Sequence, residues 1–326
     1  MLNFEEQPPV IILGWTTVFS SSLESTLGSS FLRCKKATCR LTSNRTLLNS
    51  SHVVFFHERD FNATDLPNRR RPSQLYVISN WEPPAYLSSA TSFMIDNFFN
   101  LTVTHLRNSD IYAPYVAMVK NGEVPQLIEE DLKRLVKGKT KHIAWFVSNC
   151  NTSSKRELYV KALQKYIPVD IYGSCGPLRC PRGNNNCTDF LKNDYLFYLA
   201  FENAICSDYV TEKISTALST HIVPVVLSRA VAQSALPEGS FIAVDDFASA
   251  KSLADFLYEL GNNTARYMAY FSYKQTHAVK TVTLEMSMCR LCEQVTEIPA
   301  PPTRYTKNFH EWFLESSNCT TVVVTY

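Results

Sequence analysis

The amino-acid sequence predicts an α/β fold made of two doubly wound domains. Short apolar runs alternate with segments of helical periodicity along most of the 326 residues, and this is the pattern of βαβ units. The length suggests two domains of roughly 150 residues each. With 45% hydrophobic and 19% charged residues, the chain can bury two cores and is not disordered. We expect a cleft between the domains, because open α/β sheets bind ligands at the carboxyl ends of their strands.

The first domain is predicted to comprise residues 1–138. A polar, lysine-rich stretch at 133–141 predicts its boundary with the second domain. Short apolar runs predict its strands at 10–13, 52–56, 74–79 and 101–106.

The second domain is predicted to comprise residues 139–298, where the alternation of strands and helices becomes regular. The predicted strands are 142–148, 169–172, 195–201, 223–227 and 241–244. The predicted helices are 155–166, 209–220 and 250–260, and a polar loop is expected at 184–187. The tail 299–326, which begins with Pro299-Ala300-Pro301-Pro302, is expected to be irregular.

Charge and glycine content exclude several classes of binding protein. Lys and Arg number 32 against 30 Asp and Glu, a net charge of +2, which gives no reason to expect nucleic acid or an anionic membrane surface as a partner. The chain has nine glycines and neither a GxGxxG nor a GxxxxGK[ST] motif. If a phosphate binds here, side chains and the start of a helix must hold it.

Glycosylation sequons and cysteines predict an oxidising, luminal compartment. The ten cysteines are typical of such a compartment. Asn-x-Ser/Thr sequons occur at Asn44, Asn49, Asn62, Asn100, Asn151, Asn186, Asn262 and Asn318. Residues 1–6 do not resemble a signal peptide, and no run of 18 apolar residues is present. We therefore expect either that a membrane anchor lies outside this chain or that the protein reaches its compartment by another route.

The densest group of polar residues, at 201–213, lies between an apolar strand and an amphipathic helix. Ser207 or Asp208 is expected to cap the helix, whose free N–H groups would then face the cleft. Lys213 places a cation in the first turn, which costs about 0.3–1 kcal/mol unless an anion binds there. The alternative is an ordinary solvated helix start.

The segments 198–203, 208–213 and 223–227 resemble, in residues and spacing, the donor-binding signature of the α1,3-fucosyltransferase family. The resemblance covers about residues 10–295 and implies two Rossmann-like domains facing a cleft, the GT-B architecture. Further segments that resemble the family are 39–45, 53–60, 80–84, 109–115 and 145–149. Departures are Ser228 and Val116, where the family usually has glycine, and the looser stretch His105-Leu106-Arg107-Asn108.

The resemblance implies a role for each matching residue, with an acceptor-binding first domain and a donor-binding second domain. Glu82 matches the family's general base, and Tyr115 matches a cleft residue near the reacting sugar. The residues that match donor contacts are Ser148, Asn149, Arg156, Tyr198, Asn203, Tyr209, Glu212 and Lys213. Among these, Arg156 and Lys213 match diphosphate partners, and Glu212 matches the carboxylate on the ribose.

The implied activity is inverting transfer of L-fucose from GDP-fucose, in α1,3 linkage, to GlcNAc of a glycoprotein or glycolipid glycan in the Golgi lumen. No cofactor is implied as required. The sequence has no Asp-x-Asp motif for a divalent cation, which at most would stimulate the reaction. The N-glycan core is one open acceptor, since Cys150 and the stretch 172–176 resemble that branch of the family. Two alternatives are a protein O-fucosyltransferase and a catalytically silent relative that binds a sugar nucleotide.

Two cysteine pairs, Cys34 with Cys39 and Cys289 with Cys292, are spaced for either a zinc site or disulfides. The sequons favour disulfides, and the resemblance implies that the N-terminal pair is tied to the C-terminal pair. A second set in the donor domain comprises Cys150, Cys175, Cys180 and Cys187. The partners of this set, and those of Cys206 and Cys319, stay open.

Overall fold

The computed structural model describes residues 8–93, 96–120, 129–180, 186–297 and 308–322. These residues divide into two compact units. The first lies within Met1–Pro114 and Val282–Asn318, and the second within Tyr115–Thr281 and Cys319–Tyr326. Each unit is built around a mainly parallel sheet, so the predicted α/β class is confirmed.

The first unit contains a seven-stranded sheet, in which only the pairing of β2 with β3 is antiparallel. Its first elements are β1 (Val10–Gly14), α1 (Leu23–Leu27), β2 (Phe31–Arg33), β3 (Thr38–Thr42), β4 (Val53–His57), β5 (Leu75–Asn80), β6 (Leu101–Thr104) and β7 (Ile111–Tyr112). The strand order is β2-β3-β1-β4-β5-β6-β7. Every residue of β4, β5 and β6 is buried, as expected for strands covered on both faces.

The second unit contains a five-stranded parallel sheet and a separate antiparallel strand pair. Its elements are β8 (Val116–Lys120), α2 (Glu129–Gly138), β9 (Lys141–Phe146), α3 (Arg156–Leu163), β10 (Val169–Tyr172), α4 (Asn186–Asp194), β11 (Tyr195–Leu199), α5 (Glu212–Ser219), β12 (Val223–Val226), α6 (Arg229–Gln233), β13 (Ile242–Ala243), α7 (Ala250–Gly261), α8 (Thr264–Ala269) and β14 (His277–Thr281). The strand order β10-β9-β11-β12-β13 reverses between β9 and β11, which is where doubly wound sheets bind ligands.

The chain then returns to the first unit through α9 (Leu284–Glu297) and α10 (Phe309–Ser317). Met288, Leu291 and Val295 of α9 are buried in the core of the first sheet. The predicted boundary at 138/139 therefore differs from the observed division at 114/115, and residues 282–298 do not belong to the second unit. The antiparallel pairing of β8 with β14 explains the earlier boundary, because it ties residues 116–120 to a strand of the second unit.

The predictions for the tail and for the loop at 184–187 were wrong. The tail was expected to be irregular, but α10 forms there, with the Asn308 side chain accepting a hydrogen bond from the Glu311 N–H and with Phe309 and Phe313 buried. The loop predicted at 184–187 overlaps α4, which begins at Asn186; residues 184 and 185 lie outside the described part.

The predicted disulfides between the N-terminal and the C-terminal cysteine pair are confirmed, and the structure shows which cysteine bonds to which. Cys34 pairs with Cys289 and Cys39 with Cys292, so α9 is bonded twice to the edge of the first sheet. The cysteines that sequence reasoning left open pair as Cys150–Cys175, Cys180–Cys187 and Cys206–Cys319.

The structure does not favour glycosylation at one of the predicted sequons, that of Asn100. Asn100 is only 4% exposed, and its Oδ1 accepts hydrogen bonds from the Tyr76 N–H and from Arg70. A glycan attaches through Nδ2 and extends into solvent, which the burial of this side chain opposes, so we expect Asn100 to be unmodified. Six sequon asparagines are exposed: Asn44, Asn49, Asn62, Asn151, Asn262 and Asn318. The side chain of Asn186 lies outside the described residues.

Candidate active site

The predicted donor residues of the second unit gather at the carboxyl ends of β9 and β11, the two strands at which the sheet order reverses. The loops that follow these strands are hydrogen-bonded to each other. The Ser154 N–H donates to the Asn203 carbonyl at 3.1 Å, and the Ser154 hydroxyl donates to the Glu202 carbonyl at 2.8 Å. Side chains from both loops are therefore brought together, as the sequence predicts.

Arg156, the first residue of α3, joins the two loops with its guanidinium group. Nη1 donates to the Phe201 carbonyl of one loop, and Nη2 donates to the Asn149 carbonyl of the other at 3.1 Å. The residue is 3% exposed, and its guanidinium lies 5.8 Å from the centre of the Trp145 ring. A buried charge fixed in this way needs no reorganisation to act on an anion. Contact with a diphosphate stays a prediction.

The start of α5 differs from the predicted one. The helix begins at Glu212 with Thr211 at its N-cap, not at Tyr209 with a cap from Ser207 or Asp208. Asp208 adopts a left-handed conformation with φ 57° and turns the chain ahead of the helix. The Thr211 side chain makes no capping bond. Instead, the Thr211 N–H donates to Glu202 Oε1 at 2.8 Å.

Lys213 lies in the first turn of α5, as predicted, but it is paired. Its Nζ lies 2.8 Å from Glu202 Oε2 and 2.8 Å from the Thr211 hydroxyl, with Glu212 Oε1 at 3.4 Å. Burial lowers the pKa of Lys213, but the charges of Glu202 and Glu212 outweigh burial and raise the pKa above its usual value. Conversely, Lys213 holds the pKa of Glu212 below its ordinary value against the opposing effect of burial.

The aromatic residues that are predicted to contact the sugar-nucleotide donor are buried in the site. Tyr198 and Tyr209 are each 2% exposed. Burial, followed by the charges of Glu212 and Glu202, raises the pKa of Tyr198, so this phenol stays a neutral hydrogen-bond donor. Tyr115 packs edge-on against Tyr209, with ring centres 6.2 Å apart.

The polar residues that are predicted to contact the sugar-nucleotide donor differ in their exposure to solvent. Ser148 and Asn149 are exposed in the loop after β9. Asn203 Oδ1 is enclosed and has no hydrogen-bond partner among the described residues, so it is available to a ligand N–H or O–H group. An apolar pocket of the second unit is lined in part by Ala200, Glu202, Tyr209 and Ser228. Ser228, one of the departures from the family pattern, therefore lies in the wall of a pocket.

Sequence reasoning missed Glu202 and Thr211. Glu202 accepts hydrogen bonds from both the Thr211 N–H and the Lys213 ammonium. The available signal was a carboxylate immediately after a fully apolar strand, a position where burial requires a partner.

The predicted base, Glu82, lies in the first unit at the carboxyl end of β5. Asn80, which is fully buried, holds its backbone through two hydrogen bonds of 3.0 Å, one accepted from the Glu82 N–H and one donated to the Glu82 carbonyl. Pro83 is buried, and Pro84–Tyr86 form a 3₁₀ turn. The Glu82 side chain is half-buried. Its carboxylate is thus carried on a stiff segment at the edge where α/β sheets bind ligands.

Several ionisable side chains lie at the carboxyl end of β4, the strand next to β5. His57 Nδ1 lies 2.6 Å from Asp60 Oδ2, and the same carboxylate oxygen accepts from the Phe19 N–H at 2.7 Å. Glu58 is completely buried, and burial raises its pKa to about 7. The His57 and Trp81 rings lie 6.3 Å apart.

Two comparisons with family models decide the classification. The model "Glycosyltransferase family 10 (fucosyltransferase) C-term" matches residues 136–312, and the model "Fucosyltransferase, N-terminal" matches residues 7–116. The chain belongs to glycosyltransferase family 10. The expected resemblance is confirmed, and the two models together span both units.

Named relatives and solved structures agree with this membership. The chain is 38% identical over 259 residues to alpha-(1,3)-fucosyltransferase fut-1 of Caenorhabditis elegans, covering 78% of this chain and 57% of that relative. It is 32% identical over 337 residues to alpha-(1,3)-fucosyltransferase C of Drosophila melanogaster, covering 94% of this chain and 78% of that relative. A crystal structure of an alpha1,3-fucosyltransferase with GDP-fucose matches with a TM-score of 0.55 and 18% identity, covering 92% of this chain and 94% of the other. This likeness confirms the GT-B fold.

Within the described residue ranges, no helix of this family 10 chain is long and apolar enough to cross a membrane. Nor do any three His, Cys, Asp or Glu side chains in the same ranges converge as a metal site would require.

Proposed function

We propose that this family 10 chain transfers L-fucose from GDP-fucose, in α1,3 linkage, to a GlcNAc residue of a glycan. The observation that carries the proposal is the placing of two fixed cations, Arg156 and Lys213, at the point where the strand order of the second sheet reverses. The named relatives, which are alpha-(1,3)-fucosyltransferases, and a structural neighbour with GDP-fucose support the choice of donor and linkage.

The second unit would bind the donor and stabilise the leaving group. As the bond between fucose and the diphosphate breaks, negative charge grows on the departing GDP. Arg156, Lys213 and the N–H groups at the start of α5 supply fixed positive charge to it. Glu212, which is exposed beside Lys213, is suited to accept hydrogen bonds from the two ribose hydroxyls. Asn203 Oδ1 offers a further enclosed acceptor.

The first unit would supply the base. A sugar hydroxyl is a poor nucleophile until its proton is removed, and Glu82 is the predicted acceptor of that proton. The hydroxyl oxygen then attacks the anomeric carbon of fucose from the face opposite the diphosphate. The new glycosidic bond forms as the old bond breaks, and the configuration inverts. Asn80 and Pro83 hold the base in place.

The proposed compartment is the Golgi lumen. Five disulfides and six exposed sequon asparagines support an oxidising, glycosylating environment.

The test is a glycan array with GDP-fucose and purified protein, read by product mass and linkage analysis. Transfer to the 3-hydroxyl of GlcNAc is the expected result, and the arrayed acceptors separate lactosamine from the N-glycan core. Transfer only to Ser or Thr of a protein would identify a protein O-fucosyltransferase. Binding of GDP without turnover on any acceptor would identify a silent relative and contradict the proposal.

A further inference from the structure

A carboxylate lies where an anion is proposed to bind, and the proposed function does not explain it. Glu202 is 9% exposed and lies at the start of α5, where the diphosphate of the donor would meet Lys213. A negative charge at this position opposes the binding of an anion. Its presence therefore requires a compensating role.

The hydrogen bonds of Glu202 indicate that role. Oε1 accepts from the N–H of Thr211 and from the Thr211 hydroxyl, both at 2.8 Å. Oε2 lies 2.8 Å from Lys213 Nζ. One side chain thus holds both the N-cap residue of α5 and the ammonium group in its first turn.

The surroundings of Lys213 explain why such an anchor is needed. Its side chain is only 18% exposed, the positive end of α5 lies beside it, and Arg156 is a second nearby cation. Each of these disfavours a protonated lysine. The charges of Glu202 and Glu212 reverse the balance, so the ammonium form persists before any anion arrives.

We infer that Glu202 is a positioning residue, which keeps the Lys213 ammonium charged and aimed and thereby prepares the start of α5 for a nucleotide-sugar diphosphate. The ligand class rests on the proposed function, but the effect on Lys213 does not. Glu202 itself need not touch the donor, since both of its oxygens are already engaged by Thr211 and Lys213.

The first test measures Lys213 without any donor. Its acylation by an amine reagent is followed by mass spectrometry of the peptide across pH 7–11, in wild type and in Glu202→Gln. The variant keeps the side-chain shape but removes the charge, so acylation is expected to begin at least about one pH unit lower. Glu202→Asp keeps the charge and should stay close to wild type. Equal profiles for wild type and Glu202→Gln would overturn the inference, whatever the protein's donor.

The second test measures GDP binding by calorimetry and GDP-fucose kinetics in the same variants. Glu202→Gln should weaken GDP binding about tenfold or more and move the alkaline limb of kcat/KM to lower pH. In a Lys213→Met background the same change should have little further effect. Tighter GDP binding by Glu202→Gln would overturn the inference, because it would mean that the carboxylate only repels the diphosphate.

The control is Asp255→Asn, which breaks a carboxylate–lysine pair of similar length, 2.6 Å to Lys251, on the exposed side of the same unit. It should leave GDP binding, GDP-fucose kinetics and the pH profile of Lys213 acylation unchanged. If wild type neither binds GDP nor transfers fucose while the Lys213 profile still shifts in Glu202→Gln, the proposed function fails and the positioning role stands.

Discussion

The buried carboxyl group of Glu58 should make the stability of the first unit depend on pH. Its Oε1 accepts from the Ser88 N–H at 2.8 Å and from the Thr91 hydroxyl at 3.0 Å. Oε2 has no hydrogen-bond partner among the described residues. Burial raises the pKa from its ordinary value of 4.5 to about 7, against the lowering effect of these hydrogen bonds and of Arg59. The native state therefore favours the protonated acid.

The sign and size of the effect follow from this pKa. Since the native state binds the proton more tightly than the unfolded state, the contribution is fully present below pH 4.5 and is lost as pH rises through about 7. At about 1.4 kcal/mol per pKa unit, the loss amounts to about 3 kcal/mol. Glu58→Gln is neutral at every pH, so its free energy of unfolding should not show this loss.

The measurement is guanidinium unfolding of both proteins between pH 4 and pH 8, followed by tryptophan fluorescence. The variant should gain about 3 kcal/mol relative to wild type across that range. His310, which reaches Glu58 through the Thr91 hydroxyl, is present in both proteins and cancels in the comparison. Glu297→Gln, which removes an exposed partner of Lys36, is the control and should show no such gain. A difference between wild type and Glu58→Gln that does not vary with pH would refute the reasoning.

Three further predictions concern the candidate site and the two disulfides that join α9 to the edge of the first sheet. Glu82→Gln should lower transfer by about 10²–10⁴-fold with GDP affinity unchanged, because it removes the base but keeps the shape; a parallel loss of GDP binding in calorimetry would instead place Glu82 in the donor site. Arg156→Ala and Lys213→Ala should each reduce kcat/KM for GDP-fucose about 30- to 900-fold, which corresponds to about 2–4 kcal/mol of lost charge stabilisation. Wild-type donor kinetics in either variant would remove its diphosphate role. Replacing Cys39 and Cys292 by Ser should lower the free energy of unfolding by about 3 kcal/mol, since the Cys34–Cys289 bond still closes the long loop. Removing both bonds should cost more than twice as much, and equal losses in chemical denaturation would contradict this.

Much of both sheets could be predicted from the sequence, because their strands are buried and apolar. Strand β10 was predicted with its observed bounds, and β1, β4 and β5 within one residue at each end. Strands β2 and β3 were not predicted, because exposed residues alternate with buried ones at this sheet edge and weaken the apolar signal.

The placing of distant segments could not be read from local patterns. Helix α9 follows the second unit in sequence, but its apolar face completes the core of the first, and only the paired cysteines hinted at this. The partner of Lys213 was missed for a similar reason. Glu202 precedes Lys213 by eleven residues, and their ion pair depends on where the loop turns, at Asp208 with its left-handed φ.

The end of the chain explains how a site without a glycine-rich loop can be rigid. After α10 the tail returns to the second unit, where Cys319 bonds to Cys206 in the loop after β11. The Thr320 N–H donates to the Ile205 carbonyl at 2.8 Å, and the Val322 N–H donates to the Ser154 carbonyl at 3.3 Å. The tail therefore contacts both loops that carry the predicted donor residues.

A second disulfide has the same effect on the other side of the site. Cys150, in the loop after β9, bonds to Cys175, just beyond β10. The loops after three adjacent strands are thus fixed by covalent bonds and by main-chain hydrogen bonds before any ligand arrives. Ordering a flexible loop costs binding free energy, and a loop that is already ordered avoids that cost. The disulfides that the luminal composition predicted therefore do more than stabilise the fold: they hold in place the backbone from which Arg156, Asn203 and Lys213 would meet the donor.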